Sequence, residues 1–412
     1  MSGEILFLSH RVPFPPNRGD KIRSHHVLRH LASLAPVHVA TFADDATDMA
    51  QDRELNAVAA SHCLIQRRKS LVRAGVEALA QAVPVSLTAF YDPALAAYVC
   101  KVLAERPIGT IYAFSGQMGQ YIPASFTGRV VFDFVDVDSA KFEAYAEAGR
   151  GPRRWVDARE GRLLRCEEAR LARRADVSLL VSNEEAALFR ARLLPQDRLE
   201  CAVQPLRNGI DSALFDRATC DPSPAMLECS GPRLIFAGQM DYAPNVVAAQ
   251  RVIERLLPAI RRHYPNATFH VVGRGPPDAL RAQHGRAGTY VWGAVDDMRQ
   301  YLAAADLALV PLKLARGVQN KVLEAMAMRL PVVLTPAAAT GIGGSDQHHY
   351  AVGHDDDELV AQVCILLADA ERRAAIGSAA RRFVIDALSW QATLAPLATM
   401  LGLPDTVTRD AA

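Results

Sequence analysis

The chain has 412 residues, 50% hydrophobic and 22% charged, which is enough for two or three domains with cores of their own. Forty-six basic residues against 45 acidic ones leave a formal net charge of +1, and this excludes a whole-molecule attraction to nucleic acid. Seven scattered Cys with no C-x-x-C pair fit neither a disulfide framework nor a zinc site, so reduced thiols in the cytoplasm are expected.

The start, MSGEILFLSH, lacks the basic region and the long apolar run of a signal peptide. The longest uncharged stretch, 107–128, is rich in Gly, Ser, Gln and Pro and does not read as a spanning helix. In chain order, ILFLSH (5–10) reads as a strand, followed by a Pro-rich loop and a helix over 20–35. VHVATFA (37–43) is the next strand, and helical patterns cover 51–60, 70–81 and 92–105. TIYAFS (110–115), VVFDFV (130–135) and VSLLVS (177–182) follow as strands. Nearly continuous apolar strands separated by helices mean a parallel sheet covered on both faces.

The second half repeats this theme. RLIFAG (233–238), TFHVVG (268–273), YVWGAV (290–295), LALVPL (307–312) and PVVLTP (331–336) read as strands, with helices at 245–263 and 319–329. The Pro/Ser-rich stretch 216–232 reads as the linker. The expected fold class is α/β, with two doubly wound Rossmann-like domains over 1–210 and 230–385 facing across a cleft. Residues 386–412 form a last helix packing back toward the first domain, then a tail.

Ligands of open α/β sheets bind outside the carboxyl ends of the strands, so the loops there are the candidate sites. In 11–26, Gly19 opens a helix whose free N–H groups attract anions, and Lys21 and Arg23 add positive charge; the plain alternative is a turn with Asp20 as a helix cap. In 315–333, Gly317 opens a helix carrying Asn320, Lys321 and Glu324. Arg316, Lys321 and the helix start together make a cationic site of diphosphate size. Glu324 lies on the face of Lys321 and suits ribose hydroxyls, or else forms a surface ion pair with that lysine. Only six of the basic residues are lysines, so Lys321 stands out against an arginine-rich background. In 133–149, Asp136 and Asp138 follow a strand, where a carboxylate can orient or deprotonate an attacking hydroxyl; Asp138 or Ser139 could equally cap the next helix. Ser115 and His10 end strands at the same edge. VVGRGP (271–276) is half a dinucleotide fingerprint, with Pro276 and Pro277 in place of the rest. The segment 150–174 holds nine Arg and four acidic residues and could touch anionic headgroups, although such runs are more often solvated helix faces.

Several of these stretches carry a resemblance. RNGID (207–211), FAGQMDYAPN (236–245), FHVVGRGP (269–276), VDDMRQYLAAADLALVPL (295–312) and GVQNKVLEAMAMRLPVVLTPAAATGI (317–342) resemble glycosyltransferase family 4, of the two-domain GT-B fold. SHRVPFPPNRGDKIRSHHVLRHL and DFVDVDSAKFEAYA resemble the sugar transferases associated with exopolysaccharide and PEP-CTERM/exosortase loci. The resemblance implies a nucleotide-diphosphate sugar held by the C-terminal domain and a glycan or polyprenyl-linked acceptor held by the N-terminal one. It implies hexosyl transfer with retention of configuration, no cofactor and no tightly bound metal. Glu324 matches the second Glu of the family's Glu-x7-Glu motif, which contacts the ribose, and Gly19 matches the glycine loop facing the diphosphate. Arg316 stands where the first Glu would be, and GQMDYAPN replaces the usual Arg/Lys pair, so Arg316 and Lys321 are expected to meet the diphosphate charge. Asp136, Asp138 and His10 are the expected catalytic residues. Two other functions fit the same architecture: a nucleotide-sugar 2-epimerase and a non-catalytic sugar-nucleotide binding subunit. The expected location is the cytoplasm, with peripheral contact at the inner face of the membrane through 150–174.

Overall fold

The computed structural model describes residues 3–315 and 318–403. By contact the chain separates into two units, Met1–Asn208 with Thr393–Ala412, and Gly209–Ala392.

The first unit is built on seven parallel strands: β1 (Glu4–Ser9), β2 (Val37–Ala43), β3 (Ser61–Gln66), β4 (Ile108–Phe114), β5 (Arg129–Val135), β6 (Val177–Leu180) and β7 (Val203–Pro205). Their order is β3-β2-β1-β4-β5-β6-β7, so the winding reverses between β1 and β4. Almost every residue of β1, β2 and β5 is buried, as a sheet covered on both faces requires. The helices that matter below are α1 (Gly19–Leu34), α2 (Leu71–Gln81), α3 (Asp138–Ala148) and α4 (Pro152–Arg174). The unit's apolar core joins Leu6 and Leu8 of β1 to Ile111, Phe132 and the helix residues Leu95 and Leu171.

The second unit holds six parallel strands: β8 (Arg233–Ala237), β9 (Thr268–Val272), β10 (Thr289–Gly293), β11 (Leu307–Val310), β12 (Val332–Leu334) and β13 (Ala351–Val352). Their order is β10-β9-β8-β11-β12-β13, with the reversal between β8 and β11. Helix α5 (Ala243–Arg251) follows β8, and α6 (Asn320–Ala327) follows β11. The helix after β8 runs on to His263 but widens into a π-turn over Val252–Leu256. Pro258 sits just beyond and has no N–H to give, so the hydrogen-bond ladder must adjust there.

Several elements differ from the sequence expectation. Residues 51–60 do not form one helix: short turns at Ala46–Met49 and Asp52–Asn56 lead into β3. The stretch 216–232 packs on the second unit. Met226 is fully buried, the Ser223 amide donates to the Gln300 carbonyl at 2.9 Å, and Asp216 accepts from Arg381 at 2.7 Å. The final helix is two short pieces, Trp390–Leu394 and Leu397–Met400, interrupted at Pro396. In the first unit, the Met400 carbonyl accepts from Arg129 Nε at 2.5 Å.

Candidate functional site

In a parallel doubly wound sheet, the crevice beyond the strand ends at the reversal point is the natural ligand site. Each unit has one, and each is described by itself.

In the second unit, Gly238 ends β8 and Gly273 ends β9, with φ of 150° and 145°. The two backbones touch so closely that a Cβ on Gly273 would lie 1.7 Å from the Gly238 carbonyl oxygen. The Gly238 amide donates to the Val272 carbonyl at 3.0 Å, locking the pair. A Cβ on Gly238 would crowd Lys321, 3.2 Å from its Nζ. Lys321, in the first turn of α6, therefore reaches back across the sheet edge. Its Nζ donates to Asn245 Oδ1 at 2.6 Å and sits 5.0 Å from the centre of the Phe236 ring. Asn245 is buried in α5 and anchored by its amide, which donates to the Gln239 carbonyl at 2.7 Å.

The lysine has no carboxylate within ion-pair distance among the described residues. Burial lowers its pKa to about 8, opposed by the charge of Glu324. Burial also raises Glu324 to about 7, opposed by Lys321. Glu324 makes no hydrogen bond to the described residues, and it is not the surface ion pair that was the alternative. Glu324 is half-buried, and a carboxyl that accepts nothing from the described residues is open to a donor from outside the protein. Gln319 is the residue before α6 and its side chain does not cap the helix, and Asn320 is exposed at the helix start. Val322 donates to the Gln319 carbonyl at 2.9 Å, while the Asn320 and Lys321 N–H groups at the very start of α6 have no partner among the described residues and favour an anion. Arg316 and Gly317 lie outside the described residues.

In the first unit, His10, Ser115, Asp136 and Asp138 follow β1, β4 and β5, three adjacent strands. The backbone at this edge is strained: Ser115 has φ 77°, and Val135, a β-branched residue, has φ 68°. His10 is buried between Phe90 and Phe114. Its Nε2 lies 3.0 Å from Arg11 Nη1 and 3.4 Å from Asp20 Oδ2. Both contacts fall on one nitrogen: Nε2 accepts from Arg11 in one tautomer and donates to Asp20 in the other. The His10 Nδ1 is buried with no partner among the described residues. Burial pushes the Asp138 carboxyl up; Lys141 and His10 oppose the shift and Asp136 adds to it. Asp138 caps nothing: it is the first residue of α3, and Lys141 is its ion-pair neighbour at 3.9 Å. Asp136 is exposed.

Gly19 is the first residue of α1, and a Cβ there would meet nothing within 4 Å. Open space at a helix start suits the approach of a ligand. The neighbouring charges do not serve an anion as expected. Lys21 is buried against Asp48 and also donates to the Phe14 carbonyl at 3.2 Å. Arg23 is buried too, its Nε 2.9 Å and Nη2 3.0 Å from the two Asp133 oxygens. Tyr112 donates to Asp133 at 2.7 Å, and Asn208 accepts from Arg23 at 2.8 Å. A cation inside a core must be paired, and these two are. Asp20 is not a cap either. It accepts from Arg11 at 2.8 Å and Arg18 at 2.7 Å. Burial alone would raise its pKa, but His10, Arg18 and Arg11 hold it well below the usual carboxylate range.

Asn245 is the site residue that sequence reasoning missed. It lies inside FAGQMDYAPN, but its role depends on Lys321, 76 positions away. Of the nine arginines in 150–174, several are tied down within the unit: Arg159 to the Ala78 and Val83 carbonyls, Arg170 to Glu167, and Arg173 to Asp197. Among the described residues no three His, Cys, Asp or Glu side chains gather as a metal site, and no helix is long and apolar enough to cross a membrane.

Residues 231–369 match the family model described as glycosyl transferases group 1. Among curated proteins, the chain is similar to the GDP-mannose-dependent alpha-(1-6)-phosphatidylinositol monomannoside mannosyltransferase of Mycolicibacterium smegmatis, 27% identical over 255 residues. That alignment covers 56% of this chain and 63% of the relative. The counterpart from Mycobacterium tuberculosis is 29% identical, covering 55% and 61%. The chain thus aligns with less than two thirds of the length of these relatives. Among solved structures, Anabaena Alr3699/HepE in complex with UDP superposes with a TM-score of 0.61 at 17% identity, over 97% of this chain and 99% of the other. Sucrose-phosphate synthase from Thermosynechococcus elongatus gives 0.60 at 17% identity, over 97% and 98%. A glycosyltransferase from Rickettsia africae ESF-5 gives 0.56 at 13% identity, over 97% of each chain. The chain therefore has the α/β fold of GT-B glycosyltransferases, and its second unit carries the segment that matches the glycosyl transferases group 1 model.

Proposed function

We propose that the protein is a glycosyltransferase that moves a hexosyl group from a nucleotide-diphosphate sugar to a glycan or polyprenyl-linked acceptor in exopolysaccharide synthesis. The finer placement is glycosyltransferase family 4, beside the sugar transferases of PEP-CTERM/exosortase loci. The second unit takes the donor and the first takes the acceptor. One observation carries this reading: Lys321 is clamped on Asn245 beside Gly238, while Glu324, one turn along the same helix, keeps a half-buried carboxyl that accepts no hydrogen bond from the described residues. A cation and helix N–H groups suit a diphosphate, and a free carboxylate suits vicinal ribose hydroxyls. The similar mannosyltransferases are named as GDP-mannose-dependent, and the Anabaena protein was solved with UDP-glucose, which supports a nucleotide-sugar donor.

The chemistry follows from charge. Breaking the bond between the anomeric carbon and the leaving oxygen puts negative charge on the diphosphate. Lys321, still protonated at neutral pH, and the amides at the start of α6 are fixed where that charge grows. Arg316, Gly317 and Asn320 complete the donor site in this reading, and the open space at Gly19 suits an anionic group at the start of α1. Asp136 or Asp138 orients the acceptor hydroxyl, and His10 stands beside them with a buried Nδ1 that has no partner among the described residues. Retention of configuration, independence of a bound metal and a cytoplasmic location belong to the same proposal. So does contact with the inner face of the membrane through 150–174, where the start of α4 is exposed.

The test is turnover by the full chain with UDP-glucose and with GDP-mannose, in the presence and absence of polyprenyl-phosphate-linked sugars. The reading expects nucleoside diphosphate release that depends on acceptor, with a product heavier by one hexose. Conversion of the sugar nucleotide without acceptor would make the protein an epimerase. Binding without turnover across the panel would make it a binding subunit.

A further inference from the structure

The first unit carries a surface that sugar transfer does not use. Helix α2 buries Ala74 and Ala78 against the unit. Val72, Val76 and Leu79, at i, i+4 and i+7, share another side and are 79%, 63% and 67% exposed. Leu71 at the helix start is 70% exposed. Single exposed apolar residues are ordinary, but four on one 11-residue helix are not.

A basic recess of about 840 Å3 opens beside this helix, lined by Arg67, Arg68, Lys69 and Arg73 against Glu77 and Asp92. Glu77 is shared by Lys69 at 2.8 Å and Arg73 at 2.9 Å, so one carboxylate serves two cations. Arg67 is held by Asp44 at 2.9 Å, whereas among the described residues Arg68 has only the neutral Gln66 amide oxygen at 3.3 Å. The recess therefore keeps uncompensated positive charge. Helix α4 extends the surface. Its Arg159 Nη2 donates to the Ala78 carbonyl in the last turn of α2 at 2.9 Å. One turn earlier on the same face, Trp155 is 80% exposed beside the exposed Arg153 and Arg154.

We propose that α2, the recess at its side and Trp155 dock the first unit on an anionic bilayer. Val72, Val76, Leu79 and Trp155 enter the boundary between headgroups and acyl chains, and the exposed Arg68 and Arg73 meet lipid phosphates. An apolar stripe edged by cations is the pattern of a helix lying in a membrane interface, and each cation near an anionic leaflet adds to the attraction. A second copy of the chain is the poorer occupant, because a two-fold contact would set the basic recess against itself. The proposal needs nothing from the donor site and stands or falls without it.

The experiment is co-flotation of the full chain with phosphatidylcholine vesicles, with and without phosphatidylglycerol. The chain is expected to float with the anionic vesicles and to be released by salt. Val72→Glu, Leu79→Glu and Arg68→Glu should each weaken partitioning about tenfold. All three sites are on the surface, so thermal unfolding and UDP or GDP affinity should stay unchanged and separate lost docking from lost folding. Quenching of Trp155 by brominated lipid, absent in Trp155→Phe, should accompany binding. The proposal is overturned if neither vesicle binds the chain, or if both bind it equally. Loss confined to Trp155→Ala would assign the contact to 150–174 alone and overturn it as well. So would self-association, seen by sedimentation, that Val72→Glu abolishes.

Discussion

Lys321 and Glu324 hold opposite charges one turn apart, and burial works against both. Glu324 is raised to about 7 from 4.5, so the native state binds its proton more tightly than the unfolded chain does. Its contribution to stability is full below the unfolded value and is lost as pH rises through about 7. Ligand binding has the opposite sign there. Ribose hydroxyls donating to Glu324 favour its ionised form, so donor affinity should rise with pH through about 7. A diphosphate favours the ammonium of Lys321, so affinity should fall above about 8. A sugar nucleotide suits this measurement because its phosphates are diesters with no ionisation in the window. Calorimetry of UDP-glucose or GDP-mannose binding against pH should give a maximum between the two values. Glu324→Gln should flatten the acid limb and Lys321→Met the alkaline one.

At the same scale, the sequence marked Lys321 and Glu324 by residue type and spacing, which local reasoning can use. It misplaced Lys21 and Arg23, whose partners Asp48 and Asp133 lie 27 and 110 positions away. A cation in a loop looks the same in sequence whether it faces solvent or a buried carboxylate.

The elements carry their own consequences. The contact between Gly238 and Gly273 admits no side chain, and both residues have positive φ. Gly273→Ala should cost about 2–4 kcal/mol from strain and overlap, read by urea unfolding, and should weaken donor binding by moving the end of β8. In the first unit, Arg23 ties α1 to β5 through Asp133. Arg23→Met leaves that carboxylate buried and unpaired and should cost about 3–5 kcal/mol, whereas adding Asp133→Leu should recover part of the loss. The strands with continuous apolar runs, such as β1, β2 and β8, were legible because both their faces are covered. β3 was not: every residue of SHCLIQ is partly exposed at the sheet edge, so no apolar run announces it. β7 and β13 have three and two residues, too few to show a period. The stretch 216–232 has a linker's composition, yet Met226 and the hydrogen bonds around it fix it to the second unit.

At the scale of the whole molecule, each unit has its own sheet, its own core and one reversal point. A donor held by the second unit should therefore stabilise chiefly that unit. At 100 times its Kd a ligand that binds only the native state contributes about 2.7 kcal/mol. Hydrogen exchange in β8, β9 and α6 should slow accordingly when UDP or GDP is added, with a smaller change across β1–β7. The central claim is that Lys321 and Glu324 grip a nucleoside diphosphate, and calorimetric titration of the full chain with UDP and with GDP tests it most directly. The account predicts that at least one of the two binds, and that Lys321→Ala and Glu324→Ala each weaken it about tenfold or more. Equal affinity in the parent chain and both variants, or no binding of either nucleotide, would contradict it.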